Sequence, residues 1–251
     1  MKSLRNFRTP PEFWPLLSGE AGWFARMVGI AAALLLVAML SGSLLIGGHF
    51  GAFDEYLLRA FRVPGDPSDP IGPRFVEVAV RDVTALGGVL PMAMLVVLVS
   101  TYLYLQDHRR TALALVVSAL TGVLVSELLK SIVGRSRPVV VPHLVPEVSG
   151  SFPSGHAMMS AVIYMTLGHM LARLEPRRAV RRFVLAVSVA LPVAIGMSRI
   201  YLGVHWPTDV AAGWIFGAFW VAATTHVFDR ILSGQPVFSA KAPAARSPRD
   251  D

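Results

Sequence analysis

The chain has 251 residues, of which 54% are hydrophobic and only 16% charged, with a net charge of +7 and no cysteine. Its mean hydropathy of +0.56 and its scarcity of charge, against about 25% in soluble domains, exclude an ordinary soluble domain and point to a polytopic membrane protein. The lack of cysteine excludes disulfides, thiolate metal sites and cysteine nucleophiles. The excess positive charge, a nucleic-acid signal in a soluble protein, here follows the loops between apolar runs.

Residues 1–26 set Lys2, Arg5, Arg8 and Arg26 among Phe7, Phe13, Trp14 and Trp23, a mixture suited to a cytoplasmic membrane interface. Residues 27–48 carry no charge, and as a helix of about 33 Å they would cross a bilayer. The run is too long and begins too late for a signal peptide, so it is expected to be a retained first span. In 53–62, Phe53, Tyr56, Leu57, Ala60 and Phe61 share one helical face, with Asp54, Glu55, Arg59 and Arg62 largely elsewhere. In 75–83, Val76, Ala79, Val80 and Val83 oppose Glu77 and Arg81. Both are expected to be short interfacial helices, joined by the Pro- and Gly-rich 63–73; a lipid-guiding collar and a simply packed connection both fit the sequence, the packed connection being preferred.

The second span is predicted over 84–105, followed by a polar turn at 106–110. The third starts at 111 and continues as helix through Glu127 and Lys130, ahead of a polar loop at 134–152. The fourth, fifth and sixth runs occupy 156–172, 183–197 and 210–228, with a basic loop at 175–182. The predicted fold is therefore all-α. A six-span membrane domain at 27–228 is flanked by the interfacial segment 1–26 and a flexible tail at 229–251, rich in Ala, Pro, Ser and Arg. Six spans put both termini on one side. Fifteen basic residues fall on that side and eight on the other, so the positive-inside rule makes the termini cytoplasmic.

Polar groups that are costly at membrane-segment ends converge on the opposite face. His205 and Asp209 are four apart, on one face of a helix that Pro207 can open, and a carboxylate there orients the imidazole. Lys130, Arg137 and Arg199 supply three cations suited to a dianionic phosphate and to charge on its oxygens during transfer. Glu127, one turn before Lys130, is the alternative structural partner for that lysine. Ser154 and Gly155 precede the fourth helix, where their N–H groups can face an anion. His205 can attack phosphorus, while His156 can protonate the leaving alkoxide and then deprotonate water. His169 and His226 are expected to be structural, and His49, His108 and His143 to be loop residues. A zinc site on the same histidines is rejected, because three neighbouring cations would repel the ion.

Lys130, Arg137 and Pro138, then Pro153-Ser154-Gly155-His156, then Ser198, Arg199, His205 and Asp209 resemble the three-part signature of the type 2 phosphatidic acid phosphatase superfamily. The signature spans residues 130–209, and every position is present in order. The resemblance implies a helix-bundle phosphatase core that needs no metal or other cofactor. Lys130, Arg137, Arg199, Ser154 and Gly155 would bind phosphate, with His205 as nucleophile, Asp209 as its partner and His156 as acid. Arg135, which is not a signature position, receives no role. The expected activity is hydrolysis of a membrane lipid mono- or diphosphate by a multi-pass cell (inner) membrane enzyme, with its site facing the periplasm or exterior. Its partners would be the lipid substrate and the bilayer, with no nucleic acid and no obligate protein partner. The superfamily implies phosphatidate, phosphatidylglycerol phosphate, undecaprenyl diphosphate or the 1-phosphate of lipid A as substrates. A lipid phosphotransferase using the same intermediate is the alternative. A transporter with a charge relay at Glu127, Lys130 and His156 is disfavoured, because the charges gather at one face instead of lining a path.

Overall fold

A computed structural model of the chain describes residues 49–147 and 149–231. The expected first span at 27–48, the segment 1–26 and the tail beyond 231 lie outside these residues. Seven helices are described: α1 (His49–Ala60), α2 (Arg74–Ala85), α3 (Val89–Leu105), α4 (Arg109–Val133), α5 (Gly155–Leu174), α6 (Arg178–Tyr201) and α7 (Pro207–Ile231). The all-α expectation is corrected at one point. Arg62–Val63 (β1) and Asp66–Pro70 (β2) pair antiparallel inside the expected connector. Gly65, at φ +90°, supplies the left-handed turn residue that such a tight hairpin requires.

Four helices are long and apolar enough to cross a membrane, namely α4, α5, α6 and Pro207–Phe228 of α7; α2 and α3 pass the same test jointly across a 45° bend. The protein is thus a multi-pass membrane protein. The expected second span at 84–105 is broken: α3 begins only at Val89, and Leu86, Gly87 and Gly88 close short turns onto Val83, Thr84 and Ala85. Pro91 offers no N–H to the Gly87 carbonyl, so a continuous helix would lose a bond there. Val89, Leu90, Val97 and Leu98 on α3 and Leu120 and Leu124 on α4 are exposed, as expected of surfaces solvated by lipid.

α5 packs most extensively against α6 and α7. On α7, Gly213 and Gly217 form a small-residue stripe against α5. A Cβ on Gly213 would lie 2.8 Å from the Ser154 carbonyl oxygen, and one on Gly217 would lie 2.6 Å from Ala161 Cβ. Two helices can approach this closely only where side chains are absent. Gly196 on α6 likewise admits the Trp214 ring, whose Nε1 donates to the Pro192 carbonyl at 2.9 Å. These contacts fix the start of α5 against the start of α7.

α1 is built into this domain. Leu58 is fully buried with Val141, Ala157, Ile200 and Val210. Asp54 and Arg62, expected away from the apolar face, are buried as well. Each finds polar partners. Arg62 Nη1 donates to the Phe61 and Tyr201 carbonyls, and Asp54 accepts from Thr208 and Arg135.

Candidate active site

The site forms where the loop 134–154 meets the start of α5, the end of α6 and the start of α7. α4 ends on Gly134 in the left-handed conformation, with its N–H on the Lys130 carbonyl, and the chain turns there into the segment carrying Arg135 and Arg137. α7 opens with Pro207. Two residues on, Asp209 Oδ2 reaches back to accept the Trp206 N–H at 3.1 Å, a reciprocal capping arrangement that fixes the carboxylate beside the residue before the helix.

One residue before Trp206 stands His205. It is 2% exposed and Asp209 is fully buried. Nδ1 of His205 stands 3.7 Å from Asp209 Oδ2, an ion-pair separation rather than a hydrogen bond. Nε2, on the opposite edge of the ring, lies 3.3 Å from Arg137 Nη1. The imidazole therefore has its carboxylate behind it and a cation in front. Asp209 Oδ2 also accepts from Ser151 Oγ at 2.5 Å, while Oδ1 accepts from Arg135 Nη1 at 2.6 Å.

The three expected cations separate into a pair and a third. Arg199, 1% exposed, comes from the last turn of α6. Its Nη1 donates to Thr84 Oγ1 at 3.0 Å, and its Nη2 is ion-paired with Glu147. Arg137 donates to the Val204 carbonyl at 2.6 Å and the Ser149 carbonyl at 2.9 Å, and its Nη2 reaches Glu147 Oε2 at 3.4 Å. Lys130 Nζ pairs with Glu127 at 2.8 Å, the structural partner considered from sequence. The same ammonium would lie 3.3 Å from a Cβ on Gly155, so that glycine leaves room for it at the start of α5.

His156, the second residue of α5, is within electrostatic range of Arg199, Glu147, His205 and Lys130. The expectation for Ser154 needs correcting. Its N–H does not face an anion but donates to the Asp209 carbonyl at 3.0 Å. The buried Ser154 hydroxyl has no hydrogen-bond partner, and so the side chain, not the main chain, is the group free to meet a ligand.

Burial pushes the His205 imidazole below its ordinary value; Asp209 opposes this, and the Arg137 and Arg199 charges add to it. Burial thus favours the neutral form of the ring. Burial pushes the Glu147 carboxyl up, but Arg199 and Arg137 outweigh it and hold the group below the usual carboxylate range. The Glu147 carboxylate thus bridges two guanidiniums, each able to receive an anionic oxygen.

Four residues outside the sequence motifs belong to this arrangement: Thr84, Glu147, and the pair Asp54 and Arg135. Arg135 stood two positions from Arg137, a signal that could have marked it. Asp54 and Glu147 had no such neighbour. Thr84 lay at the start of an apolar run and gave no hint of a polar task.

Residues 111–232 match the model of the PAP2 superfamily. Phosphatidylglycerophosphatase B of Bacillus subtilis is 32% identical over 136 residues, which cover 54% of this chain and 66% of that protein. The chain belongs to the PAP2 superfamily. An undecaprenyl-diphosphatase of Sulfolobus acidocaldarius is 30% identical over 48% of this chain and 56% of its own length. The chain thus spans between half and two thirds of these PAP2 relatives. In fold it is similar to the crystal structure of a transmembrane PAP2-type phosphatidylglycerolphosphate phosphatase from Bacillus subtilis, with a TM-score of 0.71 and 24% identity over 82% of this chain and 98% of that one.

Proposed function

We propose that this PAP2 protein is a lipid-phosphate phosphatase that works through a phosphohistidine at His205. The observation that carries the reading is the polarity of that imidazole, with Asp209 at Nδ1 and the Arg137 guanidinium at Nε2. A proton on Nδ1 leaves the Nε2 lone pair directed at whatever anion Arg137 and Arg199 hold. In-line attack by Nε2 on phosphorus forms the N–P bond as the bond to the lipid oxygen breaks. His156 delivers a proton to that oxygen. It then takes one from water, which attacks phosphorus, releases phosphate and regenerates neutral His205. Lys130, Arg137, Arg199 and the Ser154 hydroxyl stabilise the charge that builds on the equatorial oxygens.

The chemistry sits at the ends of spans α5, α6 and α7, the level of a lipid headgroup. Charge distribution in the sequence supports an outward-facing site with cytoplasmic termini. The substrate classes named for the relatives, phosphatidylglycerol phosphate and undecaprenyl diphosphate, lead the panel to assay, with phosphatidate and lipid A 1-phosphate beside them. The test is phosphate release in detergent with excess chelator, His205→Ala running alongside the wild type. Release that survives chelation and disappears in the variant supports the reading. Release that persists in the variant, or that needs a metal, refutes it.

A further inference from the structure

Behind His205, Asp209 is joined to a charge network whose other members, Arg135 and Asp54, the reaction as written does not use. Arg135 spreads its guanidinium between two carboxylates. Nη1 donates to Asp209 Oδ1 at 2.6 Å and to Thr208 Oγ1 at 2.7 Å, and Nη2 donates to Asp54 Oδ2 at 2.8 Å. Asp54 is fully buried and comes from α1, far away in the chain. Its Oδ1 accepts the Thr208 N–H at 2.9 Å, and its Oδ2 accepts the Thr208 hydroxyl proton at 2.7 Å. The guanidinium also stacks over the Trp206 ring, 5.4 Å from its centroid, and Trp206 Nε1 is anchored on the Ser136 carbonyl at 3.0 Å.

Both carboxylates and the Thr208 hydroxyl are hydrogen-bonded, and the charges are informative. Asp54, Arg135 and Asp209 together carry a single net negative charge, and it faces the His205 ring. Without Arg135, the buried carboxylates of Asp54 and Asp209 would lose the cation that lies between them, a costly loss in a buried network. Oδ1 of Asp209 would be free to turn, and the carboxylate would no longer be fixed behind Nδ1 of His205. Asp54 has the complementary task of keeping the fork of Arg135 turned towards Asp209. Asp209 Oδ1 is thereby occupied, and only Oδ2 is left to Ser151, the Trp206 N–H and the imidazole.

We propose that Asp54 and Arg135 are positioning residues for phosphoryl transfer, acting through Asp209 to set the tautomer and orientation of His205. The inference rests on the phosphohistidine reading, and neither residue faces the phosphate cradle. It differs from a purely structural staple between α1, the loop and α7. A staple would affect the folded fraction, whereas a positioning pair changes the chemical step in protein that is folded.

The test uses full-length protein in detergent, with Arg135→Gln, Asp54→Asn, the double variant and Arg135→Lys. Nitrogen NMR of 15N-histidine-labelled protein, with His205 assigned by its loss in His205→Ala, reads the tautomer without turnover. It is followed across pH, since Asp209, Arg137, Arg199, Glu147 and His156 all act on His205. The wild type should hold the Nδ1–H form, and both single variants should lose that preference. With a lipid phosphate that the wild type hydrolyses, kcat should fall about 10- to 100-fold, the range seen when an outer partner that fixes a histidine is removed. KM and inhibition by inorganic vanadate should change less than about threefold. The double variant should be no worse than the poorer single one, because the two residues act as one unit. An unchanged tautomer in folded variants overturns the proposal, as does a rise in KM at constant kcat. So does failure of even Arg135→Lys to fold, which would mark the network as a staple. A wild type that hydrolyses no lipid phosphate would sink the phosphatase reading instead, and the tautomer measurement would still judge the network.

Discussion

The carboxylate of Glu147 is ion-paired with the guanidinium of Arg199, and its second oxygen reaches Arg137. The protein's own anion thus occupies the two cations that hold the substrate phosphate in the proposed reaction. A bound phosphate has to displace it, at the cost of a charge-assisted contact. Replacing Glu147 by Gln should therefore tighten binding of inorganic vanadate roughly 5- to 30-fold, the equivalent of about 1–2 kcal/mol. The same variant should unfold at lower temperature without ligand, because the buried Arg199 and the partly buried Arg137 lose their partner. Saturating vanadate should narrow the gap. Weaker vanadate binding in Glu147→Gln would mean that the carboxylate orients the arginines instead of competing with the ligand.

Two groups at the site tie stability to pH in the same direction. The ordinary value for histidine is 6.5, and burial holds His205 below it. As pH falls under about 6.5 the unfolded chain takes up this proton first, so folded-state stability declines from there through the lower folded value. Glu147, ordinarily at 4.5, is also held lower in the folded protein, burial being outweighed by Arg199 and Arg137. Its contribution is present above about 4.5 and is lost as pH falls through the folded value. The melting temperature should drop from pH 7 to 5.5 and again below 4.5. His205→Gln should flatten the upper step and Glu147→Gln the lower one. Stability that holds constant from pH 7 to 5.5 would falsify the assignment to His205.

How much of this was legible beforehand depended on whether function and pattern coincided. Lys130, Arg137, Arg199, His205 and Asp209 stand at the ends of long apolar runs, where charge is conspicuous, and the helices bring them to one end of the bundle. The placement of Asp209 beside His205 was readable from their four-residue spacing. Asp54 was not, because an acidic residue among Glu55 and Arg59 looks like any solvated helix face; only the tertiary contact with Thr208 and Arg135 buries it. Glu147 sits in a loop with no periodicity, so nothing local aims its side chain. The break at Gly87–Gly88 was hidden inside an uninterrupted apolar stretch, where hydropathy registers composition but not the missing N–H of Pro91.

The glycine stripe on α7 makes a prediction about packing. A Cβ on Gly213 would meet the Ser154 carbonyl oxygen at 2.8 Å, Ala157 Cβ at 2.9 Å and the Met158 nitrogen at 3.0 Å. Main-chain atoms cannot give way as a flexible side chain can, so α5 and α7 must separate. Gly213→Ala should cost about 1–3 kcal/mol of stability, the usual penalty for overpacking. It should also lower kcat, because the separation moves His156 away from His205. Thermal denaturation and kinetics on the same preparation check both. A variant with wild-type stability would show that the helices are less tightly opposed than this geometry implies.

Gly87, at the bend between α2 and α3, tests the placement of His156 directly. A Cβ there would lie 2.5 Å from Ile195 Cγ2 and 3.2 Å from His156 Cδ2. The bend is also held by its neighbours, since Tyr164 donates to the Leu86 carbonyl at 2.9 Å and Thr84 accepts from Arg199. It cannot simply swing outward. The added methyl must press on Ile195 and on the imidazole that serves as acid in the proposed reaction. Displacements of about 1 Å in a reacting group can cost on the order of 100-fold, and a few tenths of an ångström should cost less. Gly87→Ala is thus expected to lower kcat about 10-fold for a lipid phosphate with a poor leaving group. The loss should be much smaller for p-nitrophenyl phosphate, whose leaving group needs little help from an acid. The ratio of the two losses is the decisive number. Equal losses on both substrates would mean that Gly87 acts through the packing of α6 and not through His156.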